Sequence, residues 1–395
     1  MHGWNEKAGC AFFHFRGRMQ QKFSLDRLTF NIAFGLSMKI VISGLGLMGA
    51  SLALALKTKK IEAQIWGYDY PAVCEKATNL NLIDKTIRNW PDDCRDADII
   101  FLATPIQIIE KQIRDLNTIV SRQTIVTDLG STKGNVHRLV EQIDFTGSFI
   151  GGHPMTGGEK SGLDAADPLL YENAVYILTG VEGEKRHLAE TKLFPVLETL
   201  KARLLLLNPY VHDQIMARIS HLPQLLAVGL VEMVGAKNDP EKPYFELAAG
   251  GFRDLTRIAS SNFAIWKDIL LRNKQNVQEA LRELIELLQH QYDHIEDLSE
   301  DFHLANYYRS QIPKSTKGFL HPLTDVLVYV DDRPGVIARM SNALAREQID
   351  IRDIELLKVR EEEGGVFRIS FSGKEEAEKA IKILEKHGFR AFISD

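Results

Sequence analysis

The sequence predicts an α/β protein with three parts: a doubly wound parallel sheet, an all-α second domain and a C-terminal ferredoxin-like unit of order βαββαβ. Between Met38 and Leu207, short apolar runs alternate with helical stretches, a pattern typical of parallel strands covered on both faces. Residues 208–311 have helical periodicity without a strand pattern. Residues 324–395 return to strands and helices in the ferredoxin-like order.

The chain has 395 residues, more than one hydrophobic core normally supports, which itself predicts several domains. Its first part has neither a regular hydrophobic period nor the apolar core of a signal peptide. We therefore expect an extension that is disordered or precedes the true start, with a targeting peptide as the alternative. The expected divisions are the extension 1–37, the parallel-sheet domain 38–207, the helical domain 208–311, a linker 312–323 and the C-terminal unit 324–395.

Composition excludes several classes of function. Lys and Arg number 48 against 53 Asp and Glu, giving a net charge of −5, so neither nucleic acid nor an anionic membrane is an expected partner. The uncharged run Ile40–Leu56 is too short for a membrane span and is interrupted by glycines. Cys10, Cys74 and Cys94 lie far apart, so we expect reduced thiols, no metal site and a cytoplasmic protein.

Each element of the first domain follows from apolar runs and turn residues. Pro71 is expected in the first turn of a helix, where its missing N–H costs nothing, and another helix is expected from about Ile106. The other helices are expected at Leu47–Leu56, Thr132–Gln142 and Glu184–Leu200. The expected strands, which should form a parallel sheet between layers of helices, are Lys39–Ser43, Ala63–Asp69, Asp98–Ala103, Thr124–Asp128, Ser148–Gly152, Val175–Thr179 and Arg203–Leu207.

The second domain is expected to begin at Asn208-Pro209, an N-cap followed by proline. Its first helix should run to about Gly235 with a kink at Pro223, because proline removes one helical hydrogen bond. Further helices are expected over Ser261–Asn273 and Val277–Leu298. The second of these carries an apolar stripe of Leu281, Leu284, Ile285 and Leu288. Such a stripe is typical of a core or a subunit interface. We therefore expect the domain to complete a cleft and a dimer.

The C-terminal unit has the apolar pattern of four strands and two helices. Between its two middle strands, Glu361-Glu362-Glu363 is expected at a solvated hairpin tip. The expected strands are Asp325–Val330, Ile351–Val359, Gly365–Ser372 and Ala391–Ile393, and the expected helices are Gly335–Glu347 and Lys374–His387.

A glycine motif follows the first strand and opens a helix, which is the context that a dinucleotide-binding turn requires. Asp69 follows the next strand, where a carboxylate accepts a hydrogen bond from the adenosine ribose and repels a 2′-phosphate, so we expect NAD and not NADP. The alternative is a glycine-rich turn that binds no nucleotide. The motif consists of Gly44, Leu45, Gly46, Leu47, Met48 and Gly49.

Other polar residues follow later strands, at the edge where ligands bind in doubly wound sheets. Thr104-Pro105 is expected beside the cofactor. Ser131 or Thr132 has either a catalytic role or the role of capping the next helix. His153 lies between glycines and a proline, so we expect a catalytic base that accepts a proton from an alcohol; a structural histidine is the alternative.

The helical domain also offers candidate ligands for a substrate. His221 lies beside the expected kink, with Gln224 one turn further on. Arg253 and Arg257 are four residues apart, so a single helix would present both to a dicarboxylate. Ion pairs with nearby acids such as Asp254 are the alternative for these arginines.

Five segments follow one another along the chain: GLGLMGASLA, DLGSTKGNV, GGHPMTGGEKSG, ISHLPQLLA and GGFRDLTRIASSNFAIW. In this order and spacing they resemble prephenate dehydrogenase, and the resemblance covers residues 38 to about 310. The C-terminal unit, with Asp331-Asp332-Arg333-Pro334-Gly335, is similar to an ACT domain, a regulatory module that binds small molecules. No chorismate mutase segment accompanies them, so the resemblance is not to the bifunctional form.

The resemblance implies NAD-dependent oxidative decarboxylation of prephenate to 4-hydroxyphenylpyruvate, a step of tyrosine synthesis. It implies that His153 accepts a hydrogen bond from the ring C4 hydroxyl and that Ser131 holds the two in register. Arg257 would bind a substrate carboxylate, and Glu159 would bound the pocket. The expected substrate-binding residues are Arg257, His221, Glu159, Gln224 and Trp266.

Two positions depart from the family pattern. Gln224 stands where some members carry a histidine, and Gly158 where some carry Thr or Ser. Both lie at the end of the substrate that distinguishes the keto group of prephenate from the amine of arogenate. These departures therefore leave the choice between the two substrates open. We expect prephenate, and arogenate is the alternative.

The resemblance also implies an effector, which we expect to be tyrosine bound at Arg333, Pro334 and Gly335; the alternative is a module used only for dimer contacts. A β-hydroxyacid dehydrogenase is a more remote possibility, because Lys267 lacks the glycine and asparagine that frame the lysine of that class. The remaining alternative is a non-catalytic sensor of NAD and an amino acid.

Overall fold

The structure, a computed structural model, describes residues 38–158, 160–312, 323–331, 333–360 and 364–394. Several expectations lie outside the described residues. They are the extension 1–37 with Cys10, the pocket residue Glu159, most of the linker, Asp332 and the tip at Glu361-Glu362-Glu363.

The first sheet has the strand order of a Rossmann domain. Its strands are β1 (Met38–Ser43), β2 (Ala63–Tyr68), β3 (Lys85–Thr86), β4 (Ile99–Leu102), β5 (Ile125–Asp128) and β6 (Ser148–Phe149). They pair in parallel in the order β3-β2-β1-β4-β5-β6. The chain reverses its direction of winding between β1 and β4, and a doubly wound sheet binds its ligand in the crevice at that point.

Helices cover both faces of this sheet, as predicted. They include α1 (Leu47–Thr58), α2 (Pro71–Asn79), α3 (Ile106–Leu116) and α4 (Gly134–Gln142). Alternate residues of one strand enter different cores: Ile40 and Ile42 pack with α1 and α2, whereas Val41 packs with α3 and α4. All three side chains are fully buried, because the strand is apolar on both faces.

The later strands form a second sheet, so the expectation of one parallel sheet is wrong for them. The strands are β7 (Gly151–Pro154), β8 (Val175–Thr179) and β9 (Arg203–Leu207); β7 is antiparallel to β8, and β9 is parallel to it. The expected strand Ser148–Gly152 divides at Ile150 into β6 and β7. Glycine permits this change, since a Cβ at Gly152 would lie 2.5 Å from the Asp128 carbonyl oxygen at the end of β5.

The expected helix Glu184–Leu200 is interrupted. It consists of α5 (Glu184–Leu188), a π-helical segment (Ala189–Leu193) and α6 (Phe194–Thr199). Pro195 occupies the first turn of α6. Proline supplies no N–H to the preceding turn, so the wider π-helical segment accommodates it.

The helical domain begins where the sequence predicted. The helices are α7 (Pro209–Met216), α8 (Leu222–Gly235), α9 (Gly250–Thr256), α10 (Phe263–Arg272), α11 (Lys274–Asp293) and α12 (Ser299–Gln311). Asn208 Oδ1 accepts hydrogen bonds from Tyr210 N and Val211 N at 2.9 and 3.3 Å. A π-helical segment, Ala217–His221, precedes Pro223 and separates α7 from α8. The apolar pattern of the sequence indicates neither α9 nor α12.

The C-terminal unit has the predicted βαββαβ order. Its elements are β10 (Thr324–Val330), α13 (Val336–Arg346), β11 (Asp353–Arg360), β12 (Gly364–Phe371), α14 (Lys374–Lys386) and β13 (Arg390–Ile393). The sheet is antiparallel with the order β11-β12-β10-β13. Its core joins Val326 and Phe371 of the sheet to Leu344 and Leu384 of the helices.

Neither of the described cysteines is paired. Cys74 and Cys94 are buried free thiols, and burial raises the pKa of Cys94 to about 12. Within the described ranges, no helix has the length and apolar character needed to cross a membrane. The same ranges contain no cluster of three or more His, Cys, Asp or Glu side chains suited to a metal ion.

Candidate active site

The glycine turn between β1 and α1 leaves its backbone open to a ligand. Gly44 has φ +90°, and a Cβ there would lie 2.6 Å from the Ala103 carbonyl oxygen. A Cβ at Gly49 would lie 1.8 Å from the Gly44 carbonyl oxygen, whereas one at Gly46 would meet nothing within 4 Å. No side chain caps the N-terminus of α1, so its free N–H groups fit a pyrophosphate.

A carboxylate and a threonine flank this turn. Asp69 follows β2, and its two oxygens accept hydrogen bonds from Leu45 N at 2.6 Å and Tyr70 N at 2.7 Å. Each carboxylate oxygen retains a lone pair for a ribose hydroxyl. Thr104 donates to Gln112 Oε1 at 3.0 Å, which fixes the Thr104-Pro105 turn beside Gly44. These residues fit the adenosine and pyrophosphate of NAD.

A buried ion pair fixes the strand that carries His153. Lys133 Nζ contacts the Asp128 carboxylate, and both side chains are fully buried. Lys133 also donates to the Gly152 carbonyl oxygen at 2.7 Å, and Asp128 Oδ1 accepts from Gly152 N at 3.2 Å. The residue directly before His153 is therefore held at the end of β5.

His153 lies in a cavity of about 260 Å³. The cavity brings together four of the residues expected in the site: His153, Ser131, His221 and Trp266. The loop after His153 also contacts the glycine turn, since a Cβ at Gly158 would lie 3.3 Å from Leu47 Cδ2. The complete lining is Ser131, His153, Pro154, Met155, Thr156, Ser220, His221, Ile265, Trp266 and Ile269.

His153 is a neutral imidazole. Burial is the main cause that lowers its pKa well below the usual value, and electrostatic repulsion by the ionisable groups of His212, Lys133 and His221 lowers it further. Its Nδ1 lies 2.8 Å from His212 Nε2, and His212 Nδ1 lies 2.8 Å from Asp213 Oδ1. Sequence reasoning missed His212 and Asp213, whose only signal was an adjacent His-Asp pair after the Asn208-Pro209 cap.

His221 presents an N–H group. Asn273 Nδ2 donates to His221 Nδ1 at 3.2 Å and to the Asp213 carbonyl oxygen at 2.7 Å. Burial lowers the pKa of His221 to about 4, so the ring is neutral and its proton is on Nε2. Trp266 packs edge-to-face on the ring, with 5.9 Å between centroids.

Other candidates lie elsewhere or have a different local role. Arg257 is not among the residues that line the cavity. It begins the 3₁₀ segment Arg257–Ser260, whereas Arg253 lies in α9, so a single helix does not carry both arginines. Gln224 is buried, and it donates to the Ile258 carbonyl oxygen of that segment at 2.9 Å.

The capping alternative for Ser131 and Thr132 is wrong. The N-cap residue of α4 is Lys133. Asp213 of the helical domain accepts the N–H groups of Lys133 and Gly134, each at 2.8 Å. Ser131 is therefore left to face the cavity beside His153.

Three family models match consecutive parts of the chain. They are the nucleotide-binding domain of prephenate dehydrogenase over residues 52–206, its dimerization domain over 208–309 and the ACT domain over 324–389. The chain is 34% identical to prephenate dehydrogenase of Bacillus subtilis over 90% of this chain and 98% of that protein.

Solved structures agree with this match. Prephenate dehydrogenase from A. aeolicus in complex with hydroxyphenyl propionate and NAD+ has a TM-score of 0.63 and 31% identity, covering 71% of this chain and all of that one. Synechocystis arogenate dehydrogenase has a TM-score of 0.62 and 31% identity, covering 69% of this chain and 99% of that one.

Proposed function

The chain belongs to the prephenate dehydrogenase family, and from this premise we propose that it converts prephenate to 4-hydroxyphenylpyruvate and CO₂ in tyrosine synthesis. Its cofactor is NAD. The observation that carries the proposal is the cavity that places the neutral imidazole of His153 beside Ser131 and His221. Its loop reaches the glycine turn of the nucleotide-binding domain.

The chain's own residues would hold the cofactor at the crevice of the first sheet. The open backbone at Gly46 and the N-terminus of α1 would bind the pyrophosphate. Asp69 would accept from the adenosine ribose, and Thr104-Pro105 would bound the site. NAD, when bound, supplies the two-electron acceptor for the ring carbon that bears the hydroxyl.

His153 would act as the base. Its uncharged ring offers a lone pair to the C4 hydroxyl at neutral pH, which a protonated ring lacks. Ser131, which also lines the cavity, would orient that hydroxyl. As the hydroxyl proton moves toward His153, C4 would give up its hydrogen with the bonding electron pair, and the ring carboxylate would leave as CO₂. The ring becomes aromatic, which drives the reaction, and the proton would then return to the oxygen to give the phenol of the product. His221 would donate an N–H bond to a substrate carboxylate, with Arg257 as a second carboxylate ligand.

We propose prephenate as the preferred substrate. Arogenate carries an ammonium group where prephenate carries a keto oxygen. Among the described residues that line the cavity there is no carboxylate to pair with an ammonium. Arogenate remains the second candidate, because a solved structure similar to this chain is an arogenate dehydrogenase.

Initial rates of NADH formation test the substrate. We expect the highest kcat/KM with prephenate, a lower value with arogenate and none with 3-hydroxyisobutyrate. A higher kcat/KM with arogenate would reassign the substrate. Turnover of 3-hydroxyisobutyrate alone would indicate a β-hydroxyacid dehydrogenase, and binding of NAD without turnover of any substrate would indicate a sensor.

We propose that tyrosine regulates the enzyme through the ACT domain. Gly335 has φ +85° at the start of α13, and a Cβ there would meet nothing within 4 Å, so a ligand has access to the backbone beside Arg333 and Pro334. Titration calorimetry of the full chain should give heat with tyrosine and none with phenylalanine. Added tyrosine should also lower the rate of NADH formation. Tyrosine binding without a lower rate would contradict regulation by tyrosine, and no heat with either amino acid would leave a module used only for dimer contacts.

We also propose a cytoplasmic homodimer assembled through the helical domain. Part of the apolar stripe of α11 lies outside the core of the single chain: Leu281 packs against the core, whereas Ile285 and Leu288 are 62% and 50% exposed in the described chain. A matching family model describes this region as a dimerization domain, and buried free thiols suit a reducing compartment. Light scattering during gel filtration should give the mass of two chains; one chain mass would contradict the proposal.

A further inference from the structure

A run of buried hydrogen bonds connects His153 to the carboxylate of Asp213 through His212. His153 Nδ1 lies 2.8 Å from His212 Nε2, and His212 Nδ1 lies 2.8 Å from Asp213 Oδ1. His212 is fully buried and Asp213 is 4% exposed, so the bond between them is shielded from water, whereas the ring of His153 also lines the cavity. The run crosses from β7 to α7, which belong to different domains.

These bonds determine which nitrogen carries each proton. Although burial raises it, the pKa of Asp213 is lowered overall by the bonds from His212, Lys133 N and Gly134 N. An ionised carboxylate only accepts, so His212 donates from Nδ1 and, when neutral, accepts at Nε2. His153 must then donate from Nδ1, and the lone pair on its Nε2 remains for a substrate hydroxyl.

The surroundings of His153 make it a weak base by itself. Burial and the Lys133 side chain oppose a positive charge on its ring, and protonation of His212 or His221 would oppose it further. The nearby buried carboxylate of Asp128 is already paired with Lys133. A proton accepted from a substrate therefore needs a path toward Asp213, and the bond to His212 supplies it.

We propose that His212 and Asp213 are positioning residues that set the tautomer of His153 and receive its positive charge during the reaction proposed above, on which this inference rests. The hydroxyl O–H bond breaks and an N–H bond forms at His153 Nε2. The proton on His153 Nδ1 then passes to His212 Nε2, leaving its bonding electron pair on His153. The resulting imidazolium of His212 faces the Asp213 carboxylate. The protons then move back along the same bonds, and the product oxygen recovers its proton from His153 Nε2, so no further reactant is consumed.

Asp213→Asn in the full-length protein tests the tautomer. Gly134 N binds Oδ2, whereas Lys133 N and His212 Nδ1 share Oδ1. An amide whose oxygen stays with Gly134 N therefore loses the bond from Lys133 N and turns its NH₂ group toward His212 Nδ1. His212 then donates from Nε2, and His153 is left with its proton on Nε2, where it cannot act as a base. We expect kcat with prephenate to fall at least about 100-fold, as in other wrong-tautomer variants, while KM for NAD stays within about threefold.

Nitrogen-15 NMR of the histidine-labelled protein without cofactor reads the tautomer independently of activity. The proton of His153 should move from Nδ1 in the wild type to Nε2 in Asp213→Asn. Asp84→Asn is the matched control, because the Asp84 carboxylate also accepts a backbone N–H, from Ile65 at 2.8 Å, and pairs with Lys57. It should leave both kcat and the His153 tautomer unchanged.

If Asp213→Asn does not fold, His212→Gln tests whether His212 receives the proton from His153. A glutamine oxygen can accept from His153 Nδ1 but cannot take up the proton, so the tautomer should persist while kcat falls at least about tenfold. A folded Asp213→Asn protein with His153 still protonated on Nδ1, or His212→Gln with wild-type kcat, would overturn the inference. An inactive wild type with the expected tautomer would count against the proposed substrate and not against the hydrogen-bonded chain.

Discussion

Gly46→Ala separates cofactor binding from folding. Gly46 has φ −73° and ψ −164°, which alanine adopts without strain, and its Cβ would meet nothing within 4 Å. We expect the free energy of unfolding to stay the same or rise by up to about 1 kcal/mol, because alanine restricts the unfolded chain. The added methyl would occupy the space through which a pyrophosphate approaches the backbone. We therefore expect the Kd for NAD to rise about 10- to 100-fold, or about 1.4–2.7 kcal/mol.

Gly49→Ala is the comparison variant from the same turn. Its Cβ would lie 1.8 Å from the Gly44 carbonyl oxygen, so the backbone of the turn must shift. Overpacking of this kind costs about 1–3 kcal/mol or more, and we expect a clear loss of stability with or without NAD. Thermal unfolding measures stability and titration calorimetry measures NAD affinity. An unchanged Kd for NAD in Gly46→Ala would refute the assignment of the turn as the pyrophosphate site. A large loss of stability in the same variant would refute the inference that its Cβ meets no other atom.

Two further predictions concern buried charge. Lys133→Met should lower the free energy of unfolding, measured in urea, by about 3–5 kcal/mol, because Asp128 is left buried without its cation. Adding Asp128→Asn should recover part of the lost stability, and no recovery would contradict the account of the ion pair. Burial lowers the pKa of His137 to about 3, with Lys133 and Lys185 contributing, so below about pH 6.5 the unfolded chain takes up a proton that the folded chain does not. Stability should therefore fall by about 2 kcal/mol from pH 7 to pH 5 through this residue. His137→Gln, which can keep the bond to Thr179, should lose less stability over that interval, and an equal loss would contradict the assignment.

The Rossmann sheet was predictable because its signals are local. The apolar strands, the turn at Gly44 and the carboxylate of Asp69 each identify themselves within a few residues. The second sheet was not predictable, because β7 leaves the first sheet through a close approach of Gly152 to the end of β5. That contact joins residues distant in the sequence, and an apolar pattern gives no information on pairing direction.

The candidate site divides in the same way. His153 was identified by its glycine-rich surroundings, and Trp266 only by resemblance to a family. His212 and Asp213 were missed because their roles arise from a contact between α7 and the start of α4, where Asp213 binds Lys133 N across 80 residues of sequence. The same contact explains why a local capping role for Ser131 was wrong.

The most direct test of the proposed chemistry is the kcat of His153→Asn for NADH formation with prephenate, measured together with the Kd for NAD. Loss of the base should lower kcat by about 10²–10⁴-fold, while the unaltered glycine turn keeps the Kd for NAD within about threefold of the wild type. Turnover at the wild-type rate by a correctly folded His153→Asn protein would contradict the account.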